Sequence, residues 1–270
     1  MKVQNKIIAV TGAGSGMGRE LVLHLLSKGA KVAAIDINEN GLRETASMAG
    51  NKTNSLSSFT VDITNRDSVE YLKKDIISKH GAVDGIINNA GIIQPFVRVK
   101  DLDYDLIERV MNVNLYGTLY MVKAFLPHLL TRPEAHIVNV SSMGGFLPVP
   151  GQTIYGASKA AVKLLTEGLH AELANTSVKV TVVFPGAVNT GILKNSGLNL
   201  PQPASGHAKI PKILSPARAA AIIVKAMEED KYRVLVGKDA RLMDFFYRLN
   251  PKRASRMIGK QMDGLLSGHT

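Results

Sequence analysis

Tyr155 and Lys159 stand four residues apart in the run YGASK, so on a helix they would share one face. An ammonium near a phenol stabilises the phenolate and draws the tyrosine pKa down from about 10 towards the working range. Such a phenol can take a proton from an alcohol or give one to a carbonyl. Ser142 lies 13 residues upstream and offers a hydroxyl to the same oxygen. Tyr-x-x-x-Lys is also common by chance, and a surface pair fits the spacing equally well.

A second constellation is the glycine run TGAGSGMG, from Thr11 to Gly18. Gly12, Gly16 and Gly18, with Ser15 and Met17 between them, suit a tight turn that lets a pyrophosphate approach a helix N-terminus. Met17 departs from the dinucleotide pattern G-x-G-x-x-G, so a purely structural turn stays open. Asp36 closes the run KVAAID, 18 residues past Gly18. Its carboxylate can accept from ribose hydroxyls and would repel a 2′-phosphate, which points to NAD rather than NADP. Neither Ser15 nor Ile37 supplies a compensating positive charge. A capping aspartate is the other reading of Asp36.

These residues need a scaffold, and the pattern of the chain supplies one. Short apolar runs at 7–11, 31–36, 56–61, 84–88, 135–141, 178–184 and 232–236 read as strands. Helical patterns fall between them, at 19–27, 41–48, 66–78, roughly 102–130 and 155–174. Val/Ile runs in strict alternation with helices predict a doubly wound, mostly seven-stranded parallel α/β sheet with helices on both faces, a Rossmann-type fold. One domain over 1–240 accounts for this pattern. The Pro- and Gly-rich stretch at about 186–216 reads as a substrate lid, and 241–270 as a basic tail.

Composition narrows the function. The chain has 270 residues and no cysteine, which excludes disulfides and thiolate chemistry and fits a cytoplasmic setting. Tryptophan is absent and aromatics make up 5%, which leaves little for stacking on bases, so no nucleic-acid partner is expected. The seven histidines show no ligand spacing, so no metal is expected. No run reaches the 18 or more apolar residues of a membrane span. The net charge is +11, and 13 of the 33 basic residues but only 6 of the 22 acidic ones fall in 205–270.

Taken in order, the motifs resemble those of the classical short-chain dehydrogenase/reductase family over nearly the whole chain. They are TGAGSGMG (11–18), Asp62, NNAG (88–91), NLYG (114–117), Ser142, YGASK (155–159) and Pro185-Gly186 with Thr190. The resemblance implies a cofactor site at Gly12, Ser15, Gly16, Met17, Gly18, Asp36, Asp62, Ile63, Asn89, Ala90, Gly91, Pro185, Gly186, Val188 and Thr190, together with Tyr155 and Lys159. It implies a catalytic set of Asn114, Ser142, Tyr155 and Lys159. In that set Tyr155 is the acid/base and Ser142 holds the substrate oxygen. Lys159 binds the nicotinamide ribose and lowers the tyrosine pKa, while Asn114 positions a relay water. Asp62 would cap the adenine edge, Asn89 would support the central strand, and Thr190 would contact the carboxamide.

The resulting expectation is hydride transfer between NAD(H) and an apolar secondary alcohol or ketone. Met143, Phe146, Leu147, Pro148 and Val149 would line the pocket, with Ile192 and Leu193 on the lid. The competing readings are an NADPH-dependent 3-ketoacyl carrier-protein reductase and a non-enzymatic nucleotide sensor on the same fold. Relatives imply a homodimer or homotetramer formed through the helices near 102–130 and 155–174. In the tail, Leu242, Phe245, Phe246 and Leu249 make one apolar helical face, and Ile258, Met262, Leu265 and Leu266 a second. Lys252, Arg256 and Lys260 recur every four residues. Both apolar faces are expected to pack on the body or on a partner subunit; a peripheral contact with an anionic membrane is the alternative.

Overall fold

The computed structural model describes residues 1–192, 196 and 213–266, the last six as helix backbone only. Leu193 and most of the predicted lid therefore lie outside the described residues, as do the side chains of Met262, Leu265 and Leu266.

Seven strands form one parallel sheet in the order β3-β2-β1-β4-β5-β6-β7. They are β1 Ile7–Thr11, β2 Lys31–Asp36, β3 Leu56–Thr60, β4 Gly85–Asn88, β5 Ala135–Val140, β6 Val178–Pro185 and β7 Arg233–Val236. All residues of β1, β4 and β5 are buried, as a sheet covered on both faces requires.

Helices α1 (Gly16–Ser27), α2 (Glu39–Ala49) and α3 (Arg66–His80) follow the first three strands. α4 (Tyr104–Met111) and α5 (Gly117–Leu129) follow β4, α6 (Thr153–Glu172) follows β5, and α7 (Pro216–Glu228) precedes β7. On one face Leu21, Val22, Leu25 and Leu26 of α1 meet Ala219, Ala220, Ile223 and Val224 of α7. On the other, Val69, Leu72 and Ile76 of α3 pack with Met121, Val122, Phe125 and Leu129 of α5. Each such large side chain taken out of water contributes about 1.5–3 kcal/mol. Asn38, Asn65 and Ser215 cap α2, α3 and α7 through side-chain oxygens that accept backbone N–H groups.

Two expectations need correction. The helix predicted over 102–130 is interrupted by a π-helical turn at Asn112–Tyr116 between α4 and α5. Such turns widen a helix locally and cluster at functional sites, and a 3.6-residue periodicity does not reveal them. The tail forms α8 (Lys238–Leu249) and α9 (Pro251–Leu266), and against the body α8 packs the face opposite to its apolar one, which overturns packing of that face on the body. Ala240, Met243 and Asp244 point inward, while Leu242, Phe245, Phe246 and Leu249 are exposed. A polar anchor decides this orientation. Asp244 accepts from both terminal nitrogens of Arg233 at 2.8 and 3.0 Å, and Arg233 in turn stacks on Phe184 at 4.6 Å. Ala254 and Ile258 of α9 join Met243 and Leu147 in a small separate core.

Candidate active site

The sheet order reverses between β1 and β4, and open parallel sheets bind ligands outside the strand ends at such a switch. A cleft of about 970 Å³ lies there, at the large end of ligand-binding clefts. Its floor is the turn from β1 into α1. Gly12 has φ +68 and Gly16 φ +49, a region that side-chain-bearing residues avoid. A Cβ at Gly12 would stand 2.9 Å from the Ala90 Cα, and one at Gly18 would overlap the Gly12 carbonyl oxygen. The cradle is therefore shaped by the absence of side chains. Above it Thr190 sits 3.2 Å from where a Gly16 Cβ would be.

The carboxylate of Asp36 accepts from Gly14 N at 2.8 Å and from Asn38 N at 2.9 Å, which fixes its orientation at the cleft wall. Asp62 accepts from the backbone and hydroxyl of Thr64 at 2.9 and 2.8 Å, beside Ile63. Asn89 donates from its side chain to Thr11 O, and the N–H groups of Asn89 and Ala90 donate to the Thr11 hydroxyl, so β4 is tied to β1 at the switch. Gly91 leaves room that a Cβ would fill 3.1 Å from both Asn114 Oδ1 and Lys159 Nζ. Pro185, Gly186 and Val188 complete that wall along with Ser15, Met17 and Thr190. A helix N-terminus behind a glycine cradle, with a carboxylate at the end of the second strand, fits a dinucleotide: pyrophosphate on the N–H groups, ribose on Asp36.

At the other end of the cleft, Ser142 leaves β5 in extended conformation, and its hydroxyl accepts from Gly144 N at 3.0 Å beside the Tyr155 phenol. Lys159, one turn along α6 from Tyr155, is buried and donates to the Val140 carbonyl at 3.0 Å. Burial lowers the Lys159 pKa to about 8. Burial also pushes the Tyr155 phenol up, and the Ser142 hydrogen bond only partly opposes this. The expected lowering of the tyrosine pKa is therefore reversed here: desolvation of the phenol prevails, and the ammonium is directed at a carbonyl.

Asn114 takes a different place from the rest of the set. Every other predicted site residue lines the cleft, but Asn114 sits behind it, fully buried in the π-helical turn. Its Oδ1 accepts from Ile92 N at 2.9 Å, and its Nδ2 donates to Ile92 O and to Ser158 Oγ. Both amide protons are engaged within the protein, and the side chain braces the β4 exit against α6. Of the predicted pocket residues, Met143, Val149 and Ile192 line the cleft. Phe146 packs edge-on to Phe184 at 5.5 Å, Leu147 is buried under α8 and α9, and Pro148 faces solvent.

A family model described as short chain dehydrogenase matches residues 6–200. The chain belongs to the short-chain dehydrogenase/reductase family. It is thus an oxidoreductase of the class acting on CH–OH groups with NAD or NADP. The oxidoreductase SadH of Mycobacterium tuberculosis is 34% identical over 261 residues, 94% of each chain. A family member from Burkholderia phymatum, solved in complex with NAD, superposes with TM-score 0.81 at 26% identity, covering 92% of this chain and 96% of that one. Another from Burkholderia cenocepacia, in complex with NADP, gives TM-score 0.78 at 28% identity, covering 96% and 99%.

The sequence reading missed residues of two kinds. Gly14, Asn38 and Thr64 lie beside predicted positions and were findable as neighbours of Asp36 and Asp62. Gln94 and Gln152 carried no signal. Gln94 accepts from Tyr155 N at 2.9 Å and donates to Gly151 O, while Gln152 donates to Gln94 O. This interlock fixes the start of α6 and hence the height of the phenol. It joins positions 58 and 61 residues apart, which no local pattern connects.

Proposed function

We propose that this enzyme interconverts an apolar secondary alcohol and its ketone using NAD(H), with Tyr155 moving the proton. The observation that carries this reading is the convergence of Ser142, the Tyr155 phenol and, one turn along α6, the buried Lys159 at the end of a glycine-cradled cleft. The dinucleotide supplies the acceptor or donor for the hydride. Tyr155, raised by burial, holds its proton near neutral pH and so donates to a ketone oxygen; in the reverse direction the phenolate takes the proton of the alcohol. Ser142, beside the phenol on the cleft wall, is placed to donate to the same substrate oxygen. Lys159 is the cation next to the proton-transfer site and, on the family resemblance, holds the ribose.

Ile92, Ile93, Phe96, Met143, Val149 and Ile258 line the cleft and support an apolar substrate. Asp36 supports NAD, since a 2′-phosphate would meet a carboxylate whose orientation two backbone N–H groups already fix. We also propose that the chain works in the cytoplasm as a dimer or tetramer formed through α4–α6, where Tyr104, Tyr116 and Leu164 are exposed.

The test is a panel of secondary alcohols and ketones with NAD(H) and NADP(H), followed by nicotinamide absorbance, for the wild type and Asp36→Ala. Expected are turnover with NAD(H), and loss of the discrimination between cofactors, with weaker NAD binding, in the variant. Tighter calorimetric binding of NADPH than NADH to the wild type overturns the cofactor assignment and favours the carrier-protein reductase.

A further inference from the structure

The tail presents two chemically different faces. Inward, Met243, Tyr247, Ala254 and Ile258 close against Leu147 and its neighbours. Outward on α8, Leu242, Phe245, Phe246 and Leu249 follow one another at three- and four-residue spacing, opposite the buried Ala240, Met243 and Asp244. Their relative exposures are 54, 58, 41 and 67%, the largest grouping of exposed apolar side chains along one described helix.

The polar residues around this face carry one sign. Lys238, Arg241, Arg248, Lys252, Arg253, Arg256 and Lys260 are all exposed. The two acidic residues between 238 and 260 are turned inward: Asp239 accepts from Ala187 N, and Asp244 pairs with Arg233 and Arg248. On α9 the stripe Lys252, Arg256 and Lys260 lies opposite the buried Ala254 and Ile258. Exposed aromatic and aliphatic side chains bordered by solvated cations make a surface that is at once apolar and basic. Anionic lipid headgroups over acyl chains satisfy both.

We propose that the outer face of α8 and α9 docks on an anionic lipid surface. Phe245, Phe246, Leu242 and Leu249 enter the headgroup boundary, and the basic residues neutralise lipid phosphates. The proposal gives the position of the tail a use. Ile258 on the inner side of α9 lines the cleft, so docking brings one wall of the substrate site within roughly one helix diameter, about 10 Å, of the lipid.

The test uses the full chain with vesicles of phosphatidylcholine, with or without phosphatidylglycerol, at low and high ionic strength. The chain has no tryptophan, so Leu249→Trp places a single tryptophan on the docking face, excited apart from the tyrosines at the red edge. Expected are co-sedimentation with the anionic vesicles, weakened by salt, and a blue shift of that tryptophan on binding. The double variants Phe245→Ser/Phe246→Ser and Arg256→Glu/Lys260→Glu should each lower partitioning at least about tenfold. They should leave the circular dichroism melt unchanged, because the substituted side chains are exposed. Absence of binding at low ionic strength overturns the proposal. So does binding that leaves the tryptophan emission unshifted and the variants unaffected, because the contact then lies elsewhere. If the serine variant instead turns an oligomer into a monomer, the face belongs to a second copy of the chain, and the proposal also fails.

Discussion

The two ends of the cleft are built from opposite materials. The cofactor end is backbone: Gly12, Gly16 and Gly18 make room by having no side chain, and the amides of Gly14 and Asn38 orient Asp36. The catalytic end is side chains, assembled from the β5 exit, α6 and the segment after β4 and held by Gln94, Gln152 and Asn114. One end should therefore fail when an atom is added, and the other when an atom is removed.

The largest effect is expected from removing a single oxygen. Tyr155→Phe keeps the ring in its packing and leaves the Ser142 hydroxyl without the phenolic oxygen. Proton transfer by a positioned group is worth about 10²–10⁴-fold, so kcat on the best substrate should fall by that factor. Nucleotide affinity should stay nearly unchanged, because the cradle is untouched. A variant retaining more than about a tenth of wild-type turnover would break both the comparison and the assignment of the acid/base.

Adding one carbon at the other end should act on different observables. In Gly18→Ala the new methyl overlaps the Gly12 carbonyl oxygen and lies 2.7 Å from Asn89 Nδ2. Backbone on one side and the tie between β1 and β4 on the other leave little room to yield. The expected cost is about 3 kcal/mol, the upper end for forcing atoms into packed space, read by urea unfolding without nucleotide. Calorimetry should show NAD(H) affinity falling with it. If Gly18→Ala binds nucleotide normally and loses only turnover, the division between the two ends does not hold.

The same contrast explains what the sequence could reveal. The glycine cradle and Asp36 were legible because their determinants are local: a glycine-rich run of eight residues and a carboxylate at a strand end. The sheet was legible because burial on both faces demands unbroken Val/Ile runs such as VKVTVVF. Tyr155, Lys159 and Ser142 became readable as a set only through the family resemblance. What escaped is non-local. The π-helical turn that sinks Asn114 behind the cleft has no signature at helical period, and the Gln94–Gln152 interlock joins distant segments. In the tail, apolar spacing identified the helical face of α8 but not that it turns away from the body. Arg233 and Asp244 fix that orientation, and an ion pair between a strand and a helix leaves no trace in hydropathy.

A further expected effect sharpens the comparison through pH. The catalytic end contains a buried amine, Lys159, whose pKa burial lowers from 10.5 to about 8. Between those values the unfolded chain binds a proton there that the folded chain has released. Stability rises with pH wherever the unfolded state binds more protons, so the contribution of Lys159 should grow from pH 8 to 10.5 and level off above. In nucleotide-free protein, the stability of wild type minus that of Lys159→Met should thus increase across this window in urea unfolding series. The Gly18→Ala difference should stay level over the same range, since the steric overlap involves no titrating group. A flat Lys159→Met difference would mean that the amine is solvated in the free enzyme, and that the low dielectric which lifts the Tyr155 phenol does not extend to its neighbour one turn along α6.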